Sequence, residues 1–397
     1  MTRILFRNGV VLDPESAGPR QAALLIDGAR IEALLEPEEA GPSDARPVDL
    51  AGRSIAPGFI DVHFHGATIF DPDDAPVASL RQDSASMLRH GVTAFLSTTV
   101  ALDRTRLADR VEALARAAAA GEAGAAILGI HLEGPWIGAG AAGAQPRSAI
   151  RGYEPGEGRD VLDRGQGWVR MVTLAPEAPG AGALLAELQR REIVAALGHT
   201  TADAETTLDG IDRGVRHVTH LFNAMGSFHH RAPGAIGAAL ADDRVSCDLI
   251  CDGVHVHPAA VRAAAHAKRE KLLLITDRIT PPASPSAPDE FGSGPLRPDG
   301  PVWRLPTGTL AGSRLGLAEA VRNASQLGAM TRLEAVAAAT LRPAMLLGVQ
   351  SERGTLRRGA RADLVVLDGP GQIAETWLGG RLVFSRENGG GPGVALP

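Results

Sequence analysis

Histidines and carboxylates that recur at matching places in a chain can hold a metal ion or carry protons. His63, His65, Glu133, His199, His220, His255 and Asp277 do so here. Imidazole with carboxylate is the ligand set that Zn²⁺ and similar divalent ions take, and a catalytic ion keeps one position open for water. An aspartate beside that water can accept its proton and later return it to a leaving group. His63 and His65 alternate in FIDVHFH, so on a strand both point to one face. Glu133 enters the apolar run AAILGIHLE just before Gly134 and Pro135, where an unpaired charge is costly. His199 in LGHT and His220 in VTHLFN occupy corresponding positions in consecutive runs. Asp277 ends the apolar run LLLITD, with capping of the next helix as its other reading. His131, His217 and His257 each neighbour a stronger candidate and read as orienting or packing residues. His90 precedes Gly91 at a helix end, where the dipole suits it, and His229 and His230 read as loop residues beside Arg231.

These residues fall at the ends of apolar runs, so the runs must be the elements that position them. Eight lie between residues 57 and 350: FIDVHFH, VTAFLSTTV, AAILGIHLE, VRMVTLAPE, IVAALGHT, HVTHLF, VSCDLICDGVH and KLLLITD. Most are followed by helical stretches such as ALLAELQRRE and PAAVRAAAHAKRE. Strands alternating with helices argue for parallel βαβ units, and eight of them fit an α/β fold of the (β/α)8 TIM-like barrel type, with a doubly wound open sheet as the competitor. In such a barrel the active site lies at the C-terminal tips of the strands. Gly- and Pro-rich stretches at about 134–158 and 281–308 read as loops walling that site. Both chain ends instead show short alternating strands with N-G and D-G turns. Residues 1–56 plus 351–397 are therefore expected to form one small, discontinuous β-sandwich domain, with the catalytic barrel over 57–350.

Composition removes other classes. Forty Lys and Arg against 46 Asp and Glu give a net charge of −6, with no basic stripe to suit nucleic acid or an anionic membrane. No run approaches the ~18 apolar residues a membrane span needs. The N-terminus meets Asp13 and Pro14 before any apolar stretch reaches signal-peptide length. Two cysteines cannot build a disulfide framework, so a reducing cytoplasm is expected. Cys247 and Cys251 lie four apart on a strand, which reads as packing rather than as a soft metal site. No G-x-S-x-G elbow supports serine chemistry.

Nine stretches run in order over nearly the whole chain: PGFIDVHFHG (57–66), HLEGPWI (131–137), LAPE (174–177), LGHTTAD (197–203), HVTHLFNAM (217–225), RAPG (231–234), CDGVHVHP (251–258), LLLITD (272–277) and LAGS (310–313). Together they resemble the amidohydrolase superfamily and, within it, the N-acetylglucosamine-6-phosphate deacetylases. HLEGP with THLFNAM is specific, whereas H-x-H alone is common. The resemblance implies metal-dependent hydrolysis of the N-acetyl amide of N-acetylglucosamine 6-phosphate, a phosphorylated amino sugar, to glucosamine 6-phosphate and acetate. It implies a metal site of Glu133, His199 and His220, with His63 and His65 as ligands of a second ion found in some members. It also implies Asp277 as general acid and base, Asn223, Ala224 and Arg231 as the holders of the sugar phosphate, and His255 as a substrate contact. Zinc, as one ion or two, is the expected cofactor, and a homodimer the expected assembly.

The chain departs from the family pattern in two places. Where members usually carry Gly-Ala-His or Gly-Thr-His, with a histidine that polarises the acetyl carbonyl, this chain has Gln145, a donor that cannot become cationic. The residue after the catalytic aspartate is normally small, and here Arg278 is expected to lower the pKa of Asp277 or to add an anion contact. Relatives that bridge two metals with a carboxylated lysine on the fourth strand do not fit, because the lysines are only Lys268 and Lys271. The alternatives are a deacylase for another N-acyl amine, such as N-acetylgalactosamine 6-phosphate or an N-acyl amino acid, or a non-catalytic barrel.

Overall fold

Alternating apolar and polar residues fold the first 57 residues into short paired strands. They are β1 (Arg3–Val11), β2 (Arg20–Asp27), β3 (Arg30–Leu35), β4 (Arg46–Asp49) and β5 (Ser54–Pro57). The Asp27-Gly28 signal marks the β2–β3 turn, where Gly28 takes a φ of 54° that side chains disfavour. β1 pairs antiparallel with β2 and parallel with β4 and β5. Leu364–Leu367 then joins β5 antiparallel, followed by Ile373–Leu378 and Arg381–Ser385. Both ends of the chain thus build one eight-stranded sheet. Phe6 and Trp377, from opposite ends of the sequence, meet edge-to-face at 5.0 Å in its core. The computed structural model describes residues 3–71, 77–121, 124–281, 290–291 and 294–387.

The middle of the chain contributes β6 (Phe59–Gly66), β7 (Val92–Thr98), β8 (Ala126–Glu133), β9 (Val169–Leu174), β10 (Val194–Leu197), β11 (Val215–Val218), β12 (Ser246–Ile250) and β13 (Leu272–Ile275). Neighbours pair in parallel from β6 through β13. Helices α1 (Val77–Met87), α2 (Arg104–Ala119), α3 (Pro155–Arg164), α4 (Ala181–Arg190), α5 (Ala204–Asp212), α6 (Gly234–Ala241) and α7 (Pro258–Lys268) fill the seven crossovers, and α8 (Leu317–Gln326) follows. Strands covered on both faces are buried throughout, as β6, β7, β12 and β13 are. Along β6 the pleat puts Asp61, His63 and His65 on one face and Ile60, Val62 and Phe64 on the other, where Phe64 meets Phe95 edge-on at 5.6 Å.

Two residues past β13 the chain re-enters the sheet as β14 (Arg278–Ile279), which pairs with β6 opposite Phe64. The amide of Asp277 donates to the carbonyl of His63 at 2.9 Å. The eighth strand thereby closes on the first, and the fold is the (β/α)8 barrel, with a second sheet made from both termini. Only Gly58 separates β5 from β6, and a Cβ there would lie 2.1 Å from Thr93 Oγ1. Among the described residues no helix is long and apolar enough to cross a membrane.

Two sequence expectations meet different fates. His90 does end a helical segment before Gly91, but burial first, then Arg278 and Arg89, push it down to about 4. Desolvation outweighs the helix end, so the ring is neutral rather than a dipole-stabilised cation. Cys247 and Cys251 are fully buried, and burial raises both thiols to about 12. At pH 8 roughly one thiol in 10⁴ is then a thiolate, so iodoacetamide is expected to leave the native protein unmodified and to alkylate both cysteines after denaturation. Rapid native labelling, read by mass spectrometry, would contradict this packing.

Candidate active site

The strand tips converge. Glu133, at the end of β8, places Oε1 2.9 Å from His220 Nε2 and 3.3 Å from both His199 Nε2 and His63 Nε2. Its Oε2 lies 3.4 Å from His65 Nε2. Asp277 Oδ1 lies 3.2 Å from His65 Nε2 and 3.4 Å from His63 Nε2. Two triads result, His63–His65–Glu133 and Glu133–His199–His220, each with its ligand atoms within 4.8 Å of one another and both sharing Glu133.

Lone-pair chemistry tests whether these residues suit a cation. His63 and His65 bring their Nε2 atoms to 3.3 Å, and His199 and His220 bring theirs to 3.2 Å. Nitrogens that face each other so closely need a proton or a cation between them. His65 Nδ1 lies 3.2 Å from the carbonyl of Thr98, and His199 Nδ1 lies 2.9 Å from that of Ala141. A carbonyl only accepts, so both Nδ1 atoms donate and both Nε2 lone pairs turn to the centre, the arrangement metal-ligating histidines adopt. The residues fit a divalent metal.

Without a cation the cluster relieves itself with protons. Burial opposes charge on His65 and His220, yet bonds to Asp277 and Glu133 hold His65 up at about 10, and Glu133 holds His220 up at about 9. Burial keeps His63 below its usual range. Glu133 stays well below the carboxylate range despite burial, because His63, His199 and His220 surround it. Asp277 is likewise held down by His63 and His65 against burial.

The backbone at these tips is unusual. His199, His220 and Asp277 have φ of 48°, 33° and 49°, a left-handed region that costs such residues of order 1–3 kcal/mol each. The turn aims each side chain inward rather than along its strand. Glu177 holds the turn after His199 by accepting from Thr200 Oγ1 and the amide of Thr201.

A cavity of about 230 Å³ opens over this cluster. His65, Glu133, His199, His220, Asn223, Ala224, Gln145, His255 and Asp277 line it, together with Gly143, Ala144 and Thr309–Gly312. His255 Nδ1 donates to Asp252 Oδ2 at 2.6 Å, leaving Nε2 as the other ring nitrogen. Gln145 Oε1 accepts from the amide of Ala101 at 2.8 Å, which fixes Nε2 as the donor to Glu133 Oε2.

Arg231 is not brought to this cavity. It is exposed, with its guanidinium 2.8 Å from His230 Nε2, on a loop that also exposes Phe228. Arg278 is directed elsewhere too, donating to the carbonyls of Arg314 at 2.7 Å and Leu315 at 3.3 Å. Its side chain is not among those that line the cavity, and the groups that lower Asp277 are histidines.

His131 and His217 belong to neither triad and bond to neighbouring strands instead. His131 Nε2 meets Thr173 Oγ1 at 2.7 Å, and His217 lies between Ser246 Oγ and Asp248 Oδ2. His257 caps α7 by accepting from the amide of Ala259 at 3.2 Å. Asp61 and Asp248, buried below the cluster, escaped the sequence reading. Their signal was present, since each is an acid inside an apolar strand, as Glu133 is.

The amidohydrolase family matches residues 54–383. The chain is 37% identical to the N-acetylglucosamine-6-phosphate deacetylase of Danio rerio, over 89% of this chain and 91% of that one. It is 35% identical to the N-acetylgalactosamine-6-phosphate deacetylase of Escherichia coli O157:H7, over 85% and 90%. Among solved structures it is similar to the N-acetylglucosamine-6-phosphate deacetylase of Pasteurella multocida, with a TM-score of 0.87 at 26% identity over 96% of this chain and 99% of that one. A mutant of the Mycobacterium smegmatis enzyme, in complex with N-acetyl-D-glucosamine-6-phosphate, gives 0.85 at 35% identity over the same shares. With its paired histidine triads around one carboxylate, the chain belongs to the amidohydrolase family, in the branch of the N-acetylglucosamine-6-phosphate deacetylases.

Proposed function

We propose that this chain hydrolyses the N-acetyl amide of N-acetylglucosamine 6-phosphate, giving glucosamine 6-phosphate and acetate. The observation that carries the reading is the Asp277 carboxylate, held below its usual range by histidines, beside two triads that fit a metal ion in one cavity. Glu133, His199 and His220 would hold one ion, and His63 and His65 with Glu133 a second. Zinc suits this nitrogen and oxygen donor set. A divalent ion there supplies Lewis acidity, making a water more acidic and an amide carbonyl more electrophilic.

The chain's own residues do the rest. Asp277 takes a proton from the attacking water as the new C–O bond forms, then delivers it to the amide nitrogen as the C–N bond breaks. Gln145 Nε2 carries a second hydrogen beyond the one given to Glu133, and this is the neutral donor for the acetyl oxygen. His255, Asn223 and Ala224 hold the sugar and its phosphate. Among the described residues the lining contains no guanidinium or ammonium group for a phosphate dianion. That supports a homodimer in which an exposed Arg231 serves its partner's cavity. Buried, unpaired cysteines agree with a cytoplasmic setting. The Escherichia coli relative favours one alternative, the 4-epimer N-acetylgalactosamine 6-phosphate, as substrate.

Three measurements check this reading. Asp277→Asn is expected to lower kcat by about 10²–10⁴-fold while metal content by mass spectrometry stays at the parent level. A variant with parental kcat would remove Asp277 from its role. Glu133→Ala takes a shared ligand from both triads, and the dialysed protein is expected to lose its bound divalent ion. Retention of a full complement would contradict Glu133 as a ligand shared by both triads. Acetate release across N-acetylglucosamine 6-phosphate, N-acetylgalactosamine 6-phosphate and unphosphorylated N-acetylglucosamine tests the substrate. Loss of the charged phosphate bonds, at about 2–3 kcal/mol, is expected to lower kcat/KM by roughly 10²-fold for the unphosphorylated sugar. Equal values for both would overturn the phosphate assignment.

A further inference from the structure

Two ligand histidines reach the site through backbone that the sheet cannot fully satisfy. The β6–β7 register slips between Asp61 and Phe64, and the amide of His63 finds Oδ1 of Asp61 at 3.2 Å. β11 stops at Val218, His220 turns into left-handed backbone, and its amide donates to Asp248 Oδ1. Each carboxylate uses its second oxygen as well. Asp61 Oδ2 accepts from Thr276 Oγ1 at 2.6 Å, and Asp248 Oδ2 accepts from His217 Nε2 at 3.0 Å. Both acids have no exposed surface. Their hydrogen bonds run to main chain, to Thr276 and to His217, not to the rings of His63 or His220.

A buried carboxylate is an expensive way to fill a barrel, since apolar side chains of similar volume usually serve stability as well or better. It gains a purpose where a main-chain donor has left the ladder and must still be satisfied. We propose that Asp61 and Asp248 are positioning residues, each clamping the main chain of one ligand histidine from the layer beneath the metal site. Each triad then rests on its own clamp, with Asp61 under His63 and Asp248 under His220. Because Thr276 precedes Asp277, the Asp61 clamp also ties β6 to the strand end that carries the base.

The inference rests on the divalent-ion reading of the site, and its test reads zinc affinity without any sugar. Failure of the clamp and failure of the deacetylase reading therefore show in different measurements. The full-length protein, stripped and titrated with zinc against a chromophoric chelator, is compared with Asp61→Asn, Asp61→Leu, Asp248→Asn and Asp248→Leu. Asparagine keeps an acceptor for the histidine amide, so its variants are expected within about 3-fold of the parent affinity, and the leucine variants about 10–100-fold weaker. In turnover assays the leucine variants are expected to lose kcat with KM changed less than about 2-fold, the pattern of a misplaced centre with an intact sugar pocket. Folded leucine variants that bind zinc as tightly as the parent overturn the proposal. So do asparagine variants as weak as leucine, which would place the effect in charge rather than in the hydrogen bond.

Should a leucine variant fail to fold, Thr276→Val and His217→Phe remove the second partner of each carboxylate and leave the carboxylate in place. These are expected to weaken zinc binding about 10-fold. Unchanged affinity in both overturns the clamp. A parent that binds no zinc overturns it together with the metal reading on which it rests.

Discussion

A carboxylate ringed by imidazoles and shut away from water cannot stand alone. Glu133 is 2% exposed, with three ring nitrogens around Oε1 and a fourth near Oε2. Burying an uncompensated carboxylate costs several kcal/mol, and the four imidazoles compensate only by sharing positive charge with it, as protons or as a metal ion. The imidazoles that supply this balance come from β6 and from the residues after β10 and β11, around a carboxylate at the end of β8. No smaller part of the barrel assembles them. The charge balance and the closed fold are therefore one condition, and affinity for the ion is in part folding free energy.

That condition explains the irregular tips. A regular strand would carry His199, His220 and Asp277 past the centre, and the left-handed turn at each returns the side chain to it. Neighbouring main chain holds each turn. Gly138 donates to the carbonyl of His199 at 2.8 Å, Asn223 to that of His220 at 2.9 Å, and Ser313 to that of Asp277 at 2.8 Å. Gly198, just before His199, leaves room for this crowding, since a Cβ there would lie 2.8 Å from Thr173 and 3.0 Å from Thr219. Strain at the tips is thus held by a sheet that is regular below them, as at other functional sites.

Much of this was legible in the residues. The alternation of His63 with His65, an acid in the apolar run of β8 and matching histidines after two consecutive strands all mark the cluster, because period and polarity alone require an explanation there. The eight strands were legible for the same reason. What stayed hidden depends on where side chains end up in space. Arg231 follows the motif in sequence but turns to the surface beside His230. His90 sits at a helix end, yet its charge is decided by burial that the sequence does not reveal. Asp61 and Asp248 carried the same apolar-strand signal as Glu133 but lie one layer deeper, so a search confined to strand tips passes over them.

The two departures from the family pattern show how a changed residue can be absorbed without loss of the centre. At position 145 an amide does two jobs at once, accepting from Ala101 and donating to Glu133, so the shared carboxylate stays oriented. In the proposed mechanism, what changes is the charge available to a developing oxyanion, since a neutral donor stabilises it less than an imidazolium. At position 278 the guanidinium turns from the cavity to the carbonyls of Arg314 and Leu315, just past the residue that holds Asp277. Asp277 therefore keeps an environment set by His63 and His65, and the arginine braces the loop behind it.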